Sequence, residues 1–198
     1  MKVRTLLWGA TLTGAAAAIG HAALKTHEGP AVDAELFRLV NRGHGPKADL
    51  FFGGVTELGS LYAAAAAAGT LMALGRRTAA SRALAAAAAT WVLGQGAKRL
   101  VERPRPYRTD SDTIRKMIAE PAGTSWPSSH PAVLTAFTRV AARELGLGVS
   151  ARATLAALDL SVATSRVYLG VHYPSDVTAG LLLGRAVARL WPSANRRL

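Results

Sequence analysis

"LYAAAAAAGTLMALG", residues 61–75, holds no charge, no amphipathic period and no turn signal. Working outward, the stretch from Leu50 to Gly75 carries one charge, Glu57. It is long enough to cross the roughly 30 Å of bilayer hydrocarbon. Upstream, Thr5 to Leu24 is an uncharged run behind Lys2 and Arg4. That run fits a signal peptide with a small-residue site near Ala22, or a first transmembrane helix, and the apolar segments that follow favour the helix. Downstream, "GRRTAASR" (75–82) is a short cationic turn, and Ala83 to Ala97 stays apolar until Lys98.

Three later segments are less pure. His130 to Leu147 carries Arg139, Arg143 and Glu144, Ala153 to Ser165 carries Asp159, and Val177 to Trp191 carries Arg185 and Arg189. A charge inside hydrocarbon costs roughly 2.5–3.5 kcal/mol unless it faces the bundle interior or an interface. The expectation is therefore an all-α fold, a six-transmembrane helical bundle forming a single membrane-embedded domain over residues 1–198. Its spans lie roughly at 5–24, 50–75, 79–97, 130–147, 152–168 and 175–191. "AVDAELFRLVNRGHG" (31–45) reads as a short interfacial helix ended by glycine. A soluble all-α domain with amphipathic core helices is the rival, because periodicity alone does not separate the two.

Composition is consistent with either. The 198 residues are 50% hydrophobic and 18% charged, which excludes disorder, and mean hydropathy is +0.19. The chain has no cysteine, so disulfides, thiolate metal sites and cysteine nucleophiles are excluded together. A net charge of +12 calls for an anionic partner. With both termini cytoplasmic, the inner segments hold Lys2 and Arg4, Arg76, Arg77 and Arg82, Arg143 and Arg152, and Arg196 and Arg197, as the positive-inside rule requires. Residues 25–49, 98–129 and 166–176 then share the outer face.

Three polar clusters interrupt the helical pattern on that face. "KRLVERPRP" (98–106) allows Lys98 and Arg105 to clamp an anion, or serves as a cationic flank that snorkels to headgroups. "SWPSSHPAV" (125–133) places Ser128 or Ser129 as the cap of a helix starting near His130, whose free N–H groups suit an anion. "SRVYLGVHYPSDV" (165–177) sets Arg166, His172 and Asp176 around a helix end, a turn and a new helix. Asp176 either orients the His172 ring or forms an ordinary structural hydrogen bond.

Taken in order, the clusters resemble the type 2 phosphatidic acid phosphatase superfamily. Its K-x6-R-P motif is matched by Lys98, Arg105 and Pro106. A register through Arg103 and Pro104 has the wrong spacing, although Arg103 adds charge. P-S-G-H is matched by Pro127, Ser128 and His130, with Ser129 in place of glycine. S-R-x5-H-x3-D is matched by Ser165, Arg166, His172 and Asp176. The Ser129 departure matters only if the loop needs positive φ, where a side chain costs roughly 1–2 kcal/mol.

The resemblance implies a membrane lipid phosphatase that acts without metal or other cofactor. Lys98, Arg105 and Arg166 would grip the phosphoryl group, with the Ser128 hydroxyl and Ser129 N–H completing the cradle. His172 would attack phosphorus, giving a phosphohistidine, while Asp176 orients it. His130 would protonate the leaving oxygen and then activate water. The substrates implied are a polyprenyl diphosphate, phosphatidic acid or phosphatidylglycerol phosphate. The loop from Tyr107 to Trp126, with Arg108, Asp110, Asp112, Arg115 and Lys116, bears on that choice. A soluble exported acid phosphatase or a vanadium haloperoxidase-like enzyme is the alternative within the superfamily. A non-enzymatic binder of anionic lipid or nucleic acid is disfavoured, because the cations form no continuous stripe with interleaved aromatics. Asp159 and Arg139 either pair within the bundle or face a cavity leading to the site. His21, His27 and His44 read as incidental.

Overall fold

The computed structural model describes residues 3–25, 28–109 and 113–194; Lys2, His27, Asp110, Asp112, Arg196 and Arg197 lie outside the described residues. Among the described residues the regular structure is helical throughout. The order is α1 (Val3–Lys25), α2 (Gly29–Asn41), α3 (Pro46–Val55), a 3₁₀ turn (Thr56–Gly59), α4 (Leu61–Ala73), α5 (Arg77–Leu100), α6 (Pro106–Thr109), α7 (Ser129–Glu144), α8 (Val149–Tyr168) and α9 (Pro174–Leu190).

Helix α7 is the centre of the bundle, packed by α5, α8 and α9. Its residues from Pro131 to Thr138 are all buried. On α5 the alanine run has a clear inner stripe: Ala79, Ala80, Ala83, Ala86, Ala87, Thr90 and Gly94 are buried. Those positions recur every three to four residues, so the small side chains let α5 lie close against Val133, Phe137 and Val140 of α7. Close approach is tighter still between α7 and α9. A Cβ on Gly180 would stand 2.4 Å from the Ser128 carbonyl oxygen, so only glycine fits there. The α5 and α8 C-termini and the α7 and α9 N-termini therefore meet at one end of the bundle.

The stretch 50–75 is not the single straight helix its composition suggests. The segment Pro46–Gly59 and the helix Leu61–Ala73 meet at a bend of 69°. Ser60 makes the break: its backbone is extended (ψ 154°), and its Oγ accepts the Ala63 N–H at 3.0 Å as the cap of α4. Among the described residues no single helix is long and apolar enough to cross a membrane, and this bent pair is the one combination that passes on length and composition. Helices α7 and α9 fall short on length, at 16 and 17 residues, whereas α5 is long enough at 24 but carries cations at both ends of an alanine-rich run of only moderate hydropathy.

Helix α2 occupies the place expected for a short interfacial helix, and it is amphipathic. Asp33, Phe37 and Asn41 face inward at four-residue spacing, while Val32, Leu36 and Leu39 lie about half exposed. Asn41 locks the far end of α2 to the rest of the fold. Its Nδ2 donates to the Arg115 and Tyr168 carbonyls at 2.9 and 2.8 Å, and its Oδ1 accepts the Arg115 N–H at 2.9 Å.

Candidate active site

Lys98 ends α5, and its Nζ donates to the Thr124 carbonyl at 2.9 Å while Thr124 Oγ1 donates back to the Lys98 carbonyl at 3.0 Å. The loop 101–105 then carries Arg105 into the interior, where it is 2% exposed. Three backbone carbonyls hold it: Gly123 on Nε at 3.1 Å, Ala122 on Nη2 at 3.2 Å and Val171 on Nη1 at 3.0 Å. The same Nη1 lies 3.1 Å from His172 Nε2. A guanidinium only donates, so Nε2 is the acceptor and the ring proton sits on Nδ1.

His172 follows α8 in a tight turn, with the Val171 and His172 N–H groups both donating to the Arg166 carbonyl at 3.2 Å. Gly170 allows the turn: its φ is +81°, and a Cβ would meet the Arg115 carbonyl oxygen at 2.6 Å. Burial, and then the Arg166, Arg105 and Lys98 cations, hold the His172 imidazole well below its ordinary value, so it is neutral. Those same residues are the charged neighbours of His130. The structure thus brings Lys98, Arg105, His130, Arg166 and His172 to one place. Arg166 is 3% exposed and is steadied by Nη1 donating to the buried Thr56 Oγ1 at 2.9 Å, from the 3₁₀ turn. Ser165 Oγ donates to the Val162 carbonyl at 2.7 Å within its own helix.

Ser128 occupies the N-cap position of α7, one residue earlier than a helix start at His130 implies. Its hydroxyl is buried with no hydrogen-bond partner and does not cap the helix. Its N–H donates to the Asp176 carbonyl at 3.0 Å. Ser129 is the first helical residue, and no non-glycine residue among those described has positive φ, so the serine introduces no backbone strain. Its Oγ faces Gln95 Nε2 at 3.5 Å. The Trp126–Pro127 peptide just ahead is cis.

Asp176 is fully buried in the first turn of α9. Oδ2 accepts the Tyr173 N–H at 2.9 Å and lies 3.5 Å from His172 Nδ1, the atom that carries the proton. Oδ1 accepts from Arg103 Nη1 at 2.6 Å. Arg103 is a residue whose part the linear spacing did not disclose. It is 6% exposed, its Nη2 donates to Asp33 Oδ2 at 2.6 Å, its Nη1 donates to Ser175 Oγ at 2.7 Å, and its guanidinium stacks 4.1 Å from the Tyr173 ring centre. Asp33 also accepts the Ser175 N–H at 2.9 Å. Burial works against the Arg103 cation, but Asp176 and Asp33 more than offset it and hold it firmly charged. Arg103 therefore spends its charge on two carboxylates, whereas Lys98, Arg105 and Arg166 form no ion pair among the described residues. An excess of positive charge facing two imidazoles and an unused hydroxyl has the charge and the donors that a tetrahedral oxyanion requires. The described residues hold no group of three or more His, Asp or Glu arranged around a metal position.

Known proteins resemble the chain in sequence and in fold. Decaprenylphosphoryl-5-phosphoribose phosphatase of Mycobacterium tuberculosis is 39% identical over 93 residues, 47% of this chain and 48% of that protein. The protein of the same name from Mycolicibacterium smegmatis is 37% identical over 83 residues, 42% of each. The chain spans about half the length of these curated relatives. Among solved structures, Aquifex aeolicus LpxE superposes with a TM-score of 0.71 at 27% identity, covering 79% of this chain and 92% of that one. A transmembrane PAP2 type phosphatidylglycerolphosphate phosphatase from Bacillus subtilis shares the fold, with a TM-score of 0.73 at 23% identity over 95% of this chain and 92% of that one. The PAP2 superfamily model matches residues 78–198, the segment that supplies all three polar clusters, and the chain belongs to the PAP2 superfamily.

Proposed function

We propose that the protein is a membrane lipid phosphatase that removes a terminal phosphate from a lipid through a phosphohistidine, without a metal. The observation that carries this reading is the Arg105 to His172 Nε2 hydrogen bond, which leaves the attacking nitrogen unprotonated and next to a donor for phosphate. Lys98, Arg105 and Arg166 bind the phosphoryl oxygens, and the Ser128 hydroxyl and the Ser129 N–H complete the cradle. As substrate enters, Arg105 exchanges its bond to Nε2 for one to a phosphate oxygen. The Nε2 lone pair then forms the N–P bond as the P–O bond to the lipid breaks. The negative charge of the bound phosphate offsets the surrounding cations, so that His130 carries a second ring proton, which it gives to the leaving lipid oxygen. Asp176 stabilises the Nδ1–H of the imidazolium that results. In the second half His130 takes a proton from water, the hydroxyl adds to phosphorus and the N–P bond breaks, releasing phosphate and neutral His172.

The lipid part of the substrate has a place beside the cluster. An apolar recess of about 290 Å³ lies between α1, α5 and α9, lined by Ala16, Leu93, Ala97, Trp126 and Leu183, and it reaches Pro127 next to the phosphate cradle. A prenyl or acyl chain fits that lining while the phosphate stays with the cations. By analogy with the mycobacterial relatives, a polyprenyl-linked phosphosugar joins polyprenyl diphosphate, phosphatidic acid and phosphatidylglycerol phosphate as a candidate. In the topology that fits the cation distribution, the helices make six crossings with both termini cytoplasmic and the site on the outer face.

Phosphate release from that panel in detergent, for the parent and His172→Ala, with and without chelator, tests the reading. Release abolished by the substitution and indifferent to chelator is expected. Release that survives His172→Ala overturns the nucleophile, and extraction of the protein into detergent-free buffer overturns the membrane setting.

A further inference from the structure

Asp159 and Arg139 neither pair with each other nor lead to the catalytic cluster. Asp159 is 2% exposed and accepts from Thr138 Oγ1 at 3.1 Å. It lies seven residues before Arg166 on α8, about 10 Å along the axis toward the other end of the bundle. There it lines a recess of about 90 Å³ with Thr138, Arg139 and Arg152, which adjoins a second of about 250 Å³ through Arg139 and Arg152. The second is walled by Arg143, Arg185 and Arg189. Five arginines from three helices thus surround one hollow, whose lining holds the single carboxylate of Asp159, with Glu144 3.6 Å from Arg143 Nε at its edge.

Two of the five are used by the fold. Arg143 donates to the Ala188 and Pro192 carbonyls at 2.8 and 3.3 Å, and Arg152 Nε donates to the Leu147 carbonyl at 2.7 Å. Arg139, Arg185 and Arg189 make no side-chain hydrogen bond among the described residues, and Arg185 Nε is buried without a partner. Arg139 and Arg185 are near enough to act on each other as like charges. A flank that only snorkels would send its cations outward and apart. These line a shared concavity in which Arg139, Arg152 and Arg189 are exposed to solvent, and Asp159 is the one carboxylate that acts on Arg139 and Arg185, so a bound anion would offset the positive charge that remains.

We propose that this hollow is a second anion site, separate from the catalytic cluster, which binds a phosphate group from either an anionic phospholipid of the bilayer or free solution. Guanidinium groups match phosphate oxygens in pairs, and the 250 Å³ recess is open enough for a headgroup to enter from the side while its chains stay in lipid. The site goes beyond the phosphatase reading and does not depend on it, because no residue is shared.

Thermal unfolding of the full chain in nanodiscs tests it, using phosphatidylcholine alone, phosphatidylcholine with phosphatidylglycerol, and phosphatidylcholine with added inorganic phosphate. A ligand that binds only the folded state raises the melting temperature with concentration. Stabilisation by phosphatidylglycerol, with apparent affinity about tenfold weaker in R139Q/R185Q, supports the site and identifies lipid as its source. The same pattern with inorganic phosphate supports it with a soluble source. No stabilisation by either, or equal stabilisation of parent and variant, overturns it. Phosphatase activity in phosphatidylcholine alone, expected to be unchanged, shows that the variant folds. If it does not, R189Q, at an exposed position without hydrogen bonds, carries the same comparison.

Discussion

Arg103 Nη1 stands 2.6 Å from Oδ1 of Asp176, and through this contact the carboxylate behind the His172 ring is anchored to helix α2 by way of Asp33. Removing one partner of a buried ion pair leaves an uncompensated charge, at about 3–5 kcal/mol. Arg103→Ala is therefore expected to lower the melting temperature strongly. Arg103→Lys keeps the charge but not the fork that reaches both carboxylates, so it loses less stability. Because Arg103 does not face the phosphate, the lysine variant lowers kcat while KM stays near the parent value. Steady-state kinetics on the variant check this, and a rise in KM at constant kcat contradicts it.

Arg105 has two tasks in the proposed reaction, as a phosphate donor and as the group that keeps the His172 proton on Nδ1. Loss of a single oxyanion donor costs roughly 10²–10³ in kcat. Arg105→Lys restores a cation but not the hydrogen bonds to the Gly123, Ala122 and Val171 carbonyls that aim it. It is expected to fall at least as far as that range, with little rescue over Arg105→Ala. Nitrogen-15 shifts of the His172 ring report the tautomer directly; an Nε2–H form in the parent refutes the assignment.

Burial, followed by the nearby cations, depresses the His172 value, which has consequences for both rate and stability. Protonation would remove the nucleophile, so the acid limb of kcat/KM due to His172 lies below the ordinary 6.5. Arg166→Gln removes the largest of these cationic repulsions and moves that limb to higher pH, whatever it does to the maximum rate. For stability, the unfolded chain takes up a proton as pH falls through about 6.5 and the folded chain does not. This group thus contributes nothing above that pH and lowers stability progressively below it. Melting temperature against pH, compared with His172→Gln, is expected to show a shallower acid decline in the variant.

The residues of the cluster were readable because each of the three groups is local, and their spacing survives in the linear order. Helix positions were readable for the same reason, since α5, α7, α8 and α9 begin and end within a few residues of the apolar segments. The bend at Ser60 was hidden: the residues on either side are apolar or small, and only the extended serine backbone distinguishes a capped new helix from a continued one. Asp33 and Arg103 were hidden more deeply. They lie 70 residues apart, and Arg103 is 73 from Asp176, so no local pattern links them. The α2 segment read as a surface element because its inward face is one aspartate, one phenylalanine and one asparagine, too little to mark a core.

Ser129 is the place where the chain departs from the family motif, and its backbone decides what restoring glycine does. As the first residue of α7, with no positive φ, it already adopts a conformation that any residue accepts, and its N–H remains available at the helix start. Ser129→Gly therefore relieves no strain. It adds backbone freedom to the unfolded chain and removes the Oγ that meets Gln95, so stability is expected to fall by about 0.5–1 kcal/mol. The N–H that belongs to the phosphate cradle is kept, and kcat/KM is expected to stay within about threefold of the parent, well below the loss from a deleted oxyanion donor. Ser128→Ala is the contrast: its hydroxyl has no structural partner, so the fold is expected to keep its melting temperature while activity drops. Measuring both variants by thermal melting and phosphate release separates the two serines. A large gain in rate for Ser129→Gly would show that the side chain obstructs the phosphate, and would overturn the reading that serine is accommodated here at no cost to activity.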